Sequence, residues 1–105
     1  MSDEAEVSRA VDLVSYQDGA VVSRIVVKGK TGNVTLFAFD AGQELSEHAA
    51  PYDALVHALD GEAAITVAER LHRVRAGDMI LMPAHQPHAI KAVSRFKMLL
   101  TMIRS

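Results

Sequence analysis

Apolar residues in this chain come in short runs rich in valine and isoleucine, cut off by turn-forming residues roughly every eight to twelve positions, the rhythm of an all-β sandwich or barrel. The interruptions read "QDG", "GKTGN", "DAGQ", "LDGE", "RAGD" and "PAHQP", each carrying residues that favour a reversal of the backbone. Between them the pattern predicts strands over Val11–Tyr16, Val21–Val27, Asn33–Asp40, Glu44–His48, Ala54–Leu59, Ala63–Ala68, Leu71–Arg75, Met79–Met82, Pro87–Val93 and Phe96–Ile103. Residues 1–9 read as an N-terminal arm, with Ser2–Arg9 either a loose helical turn or frayed, and residues 10–105 as one barrel domain without repeat or linker.

At 105 residues the chain suits a single domain, and 50 % hydrophobic with 23 % charged residues is a globular balance. The formal charge is −2 and the basic residues are scattered, which argues against nucleic acid or a membrane surface as partner. The absence of cysteine removes disulfides, thiolate nucleophiles and thiolate metal sites together. No run approaches the ~20 apolar residues of a membrane-spanning helix. The polar, acidic start "MSDEAEVSRAVDLV" lacks the pattern of a signal peptide, so the cytoplasm is the expected location.

Alternation along the strands sorts side chains by face. In "ALVHAL", Ala54, Val56 and Ala58 share one face while Leu55, His57 and Leu59 share the other, and both faces are apolar. Such a strand needs cover on two sides. In so short a chain a second subunit is one source of that cover, and the apolar-rich tail "FKMLLTMIRS" points the same way. A homodimer is therefore expected, the other option being a strand sandwiched between two sheets of one monomer.

Two segments organise the histidines. Gly42 is followed after five residues by His48, and that stretch closes at Gly61; Gly77 is followed by "DMILM", Pro83, His85 and His88. Over Thr35 to Val93 this order resembles the paired motifs of the cupin superfamily, small β-barrels of the double-stranded β-helix or jelly-roll type. The resemblance implies that fold, implies that dimers are common, and places His48 and His88 at two of the four usual metal-ligand positions. The second histidine position holds Ala50 and the glutamate position Ala54. His85 stands where the family has glycine, and Ala92 where it has asparagine.

The residues themselves are compatible with such a site. His88 shares a strand face with Ile90 and Ala92, so it is expected in an apolar interior that favours the neutral, metal-binding imidazole. Candidates for a third ligand are His85, three residues before His88, and Glu44, which shares strand parity with His48. Asp53 adjoins the lost glutamate position but falls on the opposite face. His57 should point away from the cavity, and His72, in "RLHRVR", should be solvated. A site of this composition would take a divalent transition metal: iron, manganese, nickel or zinc.

Two classes of function follow. One is an enzyme acting on a small molecule, through Lewis-acid or oxygen chemistry with a metal, or metal-free acid–base chemistry of the isomerase kind, with His48, His88 and Tyr52 as candidate catalytic residues. The other is a non-catalytic binding barrel, its pocket widened by Ala50, Ala54, Ala58 and Ala92 and lined by Val56, Met82, Ile90 and Met98. A third, anion binding by Lys91, Arg95, Lys97 and Arg104, is adequately replaced by a solvated outer face.

Overall fold

A computed structural model describes residues 5–104. Among them nine strands follow one another: β1 (Val21–Gly29), β2 (Gly32–Phe39), β3 (Glu44–His48), β4 (Asp53–Asp60), β5 (Glu62–Val67), β6 (Arg70–Arg75), β7 (Met79–Met82), β8 (His88–Ala92) and β9 (Phe96–Ile103). They form two antiparallel sheets, one in the order β1-β2-β9-β4-β7 and one in the order β3-β8-β5-β6. Consecutive strands cross repeatedly between the sheets, as in a jelly roll. None of the described residues forms a helix long and apolar enough to cross a membrane.

The alternation read from the sequence decides what lies between the sheets. Ala54, Val56 and Ala58 of β4 face inward against Ile65, Met82, Ile90, Phe96 and Met98. Phe39 and Phe96, both fully buried, tilt against each other with ring centroids 5.8 Å apart. Such pairs contribute on the order of 1 kcal/mol beyond the area they bury.

The expected strands from Val21 onward are present, with ends shifted by a few residues. The expected strand Val11–Tyr16 is not. Ala10–Asp12 forms a single turn of 3-10 helix and the chain then runs irregularly across the outer face of the larger sheet. Its apolar residues serve as cover: Val14, with Ala10, Leu13 and Tyr16, packs on Leu36, Ala38, Leu59 and Leu99. Side chains replace a neighbouring strand as partners for the backbone, since Lys97 Nζ donates to the Val11 carbonyl at 2.6 Å and Arg24 Nη1 to the Leu13 carbonyl at 3.0 Å. The apolar residues of this segment thus report burial rather than strand pairing. Residues 5–9 of the expected arm are irregular and the remainder of Ser2–Arg9 lies outside the described residues.

The basic residues of the last strands fasten this segment. Arg95 pairs with Asp40 at 3.0 Å and Asp18 at 2.6 Å, and its guanidinium lies 5.3 Å from the centre of the Tyr16 ring. Tyr16 donates to Asp60 Oδ2 at 2.5 Å; burial, and then that carboxylate, push its phenol well above the ordinary tyrosine range. Part of the second cover expected from another subunit therefore comes from the chain itself. Beyond its reach the outer face still exposes Val27, Met79, Leu81 and Ile103, with Leu55 and His57 half-buried between them.

Candidate metal and small-molecule site

The site begins with an irregularity in β3. Leu45 pairs with Ile90 and His48 with His88, so three steps along β3 match two along β8. The extra residue is a β-bulge, which bends the strand and re-aims a side chain. Simple alternation would put Leu45 and His48 on opposite faces, yet both line the same cavity. Glu44, opposite Lys91, is exposed on the other face. The parity that made Glu44 a neighbour of His48 is broken by this bulge.

Each histidine ring is held by the carbonyl two residues before it. His48 Nδ1 lies 2.9 Å from the Ser46 oxygen, within the bulge, and His88 Nδ1 lies 3.3 Å from the Gln86 oxygen. The Nε2 atoms then face each other at 3.2 Å, with the rings nearly edge to face. A count of protons is decisive here. Two carbonyls and one nitrogen–nitrogen contact require three hydrogens, and two neutral imidazoles carry two. Any neutral arrangement leaves two lone pairs in opposition. Either a further proton or a metal cation between the Nε2 atoms removes that conflict.

The further proton is disfavoured at His88. The ring is buried, and that burial, reinforced by His48, holds its pKa below the ordinary value of 6.5. The unfolded chain therefore takes up a proton at this position more readily than the folded chain. Stability linked to His88 is fully present above about pH 6.5 and declines as pH falls from there through the lowered folded value. Metal-free protein should show a falling melting temperature over this window, and His88→Gln should flatten it. The lowered carboxyl groups of Asp40 and Glu62 add their own loss, in a separate range below ordinary values of 3.8 and 4.5. Calorimetric scans of both proteins across this range check it.

The pair lines a cavity of about 390 Å³, within the range of small-molecule sites. Phe37, Leu45, Met82, Ile90, Leu100 and Met102 form its apolar wall, and Ala49 to Tyr52 its rim. Tyr52 lines it directly and carries the Arg104 guanidinium 5.7 Å from its ring centre. Met82 and Ile90, expected in a pocket lining, are among the residues that line this cavity. Val56 and Met98, expected there too, are fully buried in the core and are absent from this lining. A broader depression of about 460 Å³ beside β6 and β7 includes His72 but is more open, and its lining holds no second histidine.

His85 belongs to the rim rather than the pair. It adopts φ +68°, and its N–H donates to the Ala50 carbonyl at 2.7 Å, while the Ala84 N–H donates to Asp53 Oδ1 at 2.8 Å. These two bonds tie the loop after β7 to the loop before β4 and to the first residue of β4. Among the described residues no group of three or more histidine and carboxylate side chains converges for a metal, so neither His85 nor Glu44 completes the set. The left-handed backbone at His85 strains a residue with a Cβ by roughly 1 kcal/mol. His85→Gly should consequently raise stability by up to about 1 kcal/mol while leaving metal affinity unchanged; denaturant midpoints and a metal titration check both halves.

The Cupin domain family matches residues 35–104. The chain belongs to the cupin family. In structure this cupin is similar to a conserved protein of unknown function from Streptococcus pyogenes, at 36 % identity and a TM-score of 0.92, covering 99 % of this chain and 91 % of that one. It is also similar to a cupin superfamily protein from Desulfitobacterium hafniense, at 30 % identity and 0.89, covering 100 % and 95 %. Salicylate 1,2-dioxygenase from Pseudoaminobacter salicylatoxidans shares the fold over 79 % of this chain and 26 % of its own, at 17 % identity and 0.74. No curated protein matches the cupin.

Ala50 and Ala54, where cupin motifs carry histidine and glutamate, both line the cavity, and Ala54 is buried. Their small side chains leave room there instead of ligands. Strand alternation could not have revealed the carbonyls of Ser46 and Gln86, since a bulge and a loop present them.

Proposed function

We propose that this cupin is a small-molecule protein whose barrel mouth holds a divalent transition-metal ion, iron, manganese, nickel or zinc, between His48 and His88. The observation that carries this reading is the missing hydrogen: both Nδ1 atoms face carbonyls and both Nε2 atoms face each other at 3.2 Å. With both Nδ1 atoms donating, two Nε2 lone pairs are left directed at one place. That separation allows both nitrogens to reach one ion at the usual metal–nitrogen distance of about 2.0–2.1 Å. Carbonyl bonds on the far ring nitrogens are also the usual way of fixing ligating histidines.

When bound, such an ion supplies Lewis-acid polarisation of an oxygen on the small molecule, or oxygen chemistry if it is iron. The chain's own residues then do the positioning. His88, buried, and His48, exposed, would hold the ion, and the apolar lining would seat the body of the molecule. Tyr52 is placed to orient its outer end. Cobalt(II) serves as a spectroscopic probe. Titration should give visible bands of a nitrogen-ligated ion with the parent protein, and none with His88→Ala. Bands of equal strength in both would remove the histidine pair from the site.

A second reading is supported by the donor set, which among the described residues stops at two nitrogens. In it the third hydrogen is a proton shared by the pair, and the barrel binds or isomerises its ligand without metal, with the histidines and Tyr52 as acid–base groups. We also propose a homodimer formed through the uncovered apolar patch of Val27, Met79, Leu81 and Ile103. Sedimentation equilibrium should give twice the 11.4 kDa chain mass, and Leu81→Lys should give monomers.

A further inference from the structure

We infer that the acidic N-terminal arm of one copy docks on a second copy, in the open depression beside the β1–β2 hairpin. This rests on the homodimer proposed above and adds the segment that completes its interface. Three observations lead to it.

The first is the shape of the bare face. Register pairs Val27 with Val34, Val34 with Thr101, Thr101 with Leu55 and Leu55 with Leu81, so one outward row crosses all five strands of the larger sheet. The segment from Ala10 to Tyr16 packs on the neighbouring rows of Leu36, Ala38, Leu59 and Leu99, away from the β1–β2 hairpin. That segment stands above the sheet. Two copies stacked bare face to bare face must therefore run in opposite directions to keep their segments apart. Each segment then lies beside the partner's β1–β2 hairpin.

The second is the arm itself. Ala5–Arg9 continues from this segment as irregular, exposed chain, and Val7 is wholly exposed, an apolar side chain without cover among the described residues. Lys97 Nζ holds the Val11 carbonyl near one end of β9, and Ile103 lines the depression at the other, about 20 Å away at the usual strand rise. An arm of the same chain would reach the depression only fully stretched, since the four steps from Val11 to Val7 span at most about 14 Å. The partner's depression lies beside it.

The third is complementarity. Val27, Gly29, Gly32, Val34 and Ile103 line a depression of about 360 Å³, apolar and low-walled at its glycines. Lys28 and Lys30, both exposed, flank Gly29, and the Arg104 N–H donates to the Thr31 carbonyl at 2.8 Å, which brings a third cation to this end. Asp53, opposite Ile103, is taken up by the Ala84 N–H. In the arm, Asp3, Glu4 and Glu6 precede Val7. A valine beside three carboxylates matches an apolar floor with a cationic rim, and such matching fixes which surfaces meet.

The test is sedimentation equilibrium on the parent, a hairpin variant (Lys28→Glu with Lys30→Glu) and an arm variant (Glu4→Lys with Glu6→Lys). Lys28, Lys30 and Glu6 are exposed, so both variants should fold, and thermal melts check this. Val7→Asp, at a wholly exposed position, gives an independent reading and should weaken the dimer as they do. Each charge variant alone should dimerise at least about tenfold more weakly than the parent, because like charges then face each other. An equimolar mixture of the two should regain dimer near the parent's dissociation constant, since in the mixed pair each arm again meets a hairpin of opposite charge. Variants that dimerise as tightly as the parent overturn the inference and leave the homodimer standing. Weakened variants that the mixture does not restore overturn it as well, by confining the arm to its own chain. A parent that stays monomeric at every concentration overturns the homodimer reading itself.

Discussion

Gly61→Ala should give protein that does not accumulate in folded form. Gly61 joins β4 to β5 at φ +76°, and a Cβ there would stand 1.7 Å from the Arg95 carbonyl oxygen and 2.8 Å from its carbon. Those are backbone atoms, so no side chain can swing aside. The surroundings are also fixed: the Val93 and Ser94 N–H groups donate to the Glu62 carbonyl at 3.0 and 3.3 Å, and Ala76 N–H donates to the Gly61 carbonyl at 3.2 Å. Relieving the clash requires separating this turn from the loop before β9. A loss above about 4 kcal/mol is expected, a large part of the roughly 5–15 kcal/mol that holds a domain together. Gly77→Ala is the control. Its φ is +96°, but a Cβ would meet nothing within 4 Å, so only backbone strain of the order of 1 kcal/mol applies. Soluble yield and thermal melts of the two variants should separate clearly, and similar behaviour would contradict the close approach at Gly61.

His88→Leu should remove metal binding and keep the fold. His88 is buried on a strand face beside Ile90, and its ring takes part in a contact set that two neutral imidazoles cannot satisfy. A leucine of similar bulk suits Met82 and Ile90 and leaves no polar atom wanting a partner, as when buried polar pairs are exchanged for apolar residues. His48, at the exposed rim, keeps its bond to the Ser46 carbonyl. The metal-free variant should therefore equal or exceed the parent in stability by up to about 1 kcal/mol, while metal affinity drops by at least about 100-fold. Denaturant unfolding in a chelating buffer and a metal titration provide the two readings. A variant that loses several kcal/mol without metal would mean that His88 is structural, and the site would lose its main support.

The jelly-roll fold was legible because its strands are short, β-branched and bounded by turn residues. Nine of them follow the pattern, and the inward face of Ala54, Val56 and Ala58 is the one that buries. The first expected strand failed for a physical reason: Val14 and its neighbours are apolar because they cap Leu36 and Ala38, and periodicity does not distinguish capping from pairing. Between β5 and β6, Ala68 and Glu69 turn with positive φ although neither is a usual residue for it, so the sequence carried no signal there. The site was legible in part. His48 and His88 meet as their motif positions imply, but Glu44 was misplaced by the bulge, whose extra residue reverses every parity upstream of it. Val56 and Met98 face the interior but lie in the packed core rather than the cavity lining, since alternation gives direction without depth. The carbonyls that orient both rings belong to the backbone and could be seen only once the chain was folded.

Elemental mass spectrometry on protein prepared without affinity tag or chelator, beside His88→Leu prepared identically, tests the central claim most directly. A divalent transition metal is expected in the parent protein, rising towards one per chain after incubation with iron, manganese, nickel or zinc, with none retained by the variant. Parent protein that stays metal-free after each of these incubations, or a variant that retains metal equally well, would contradict it.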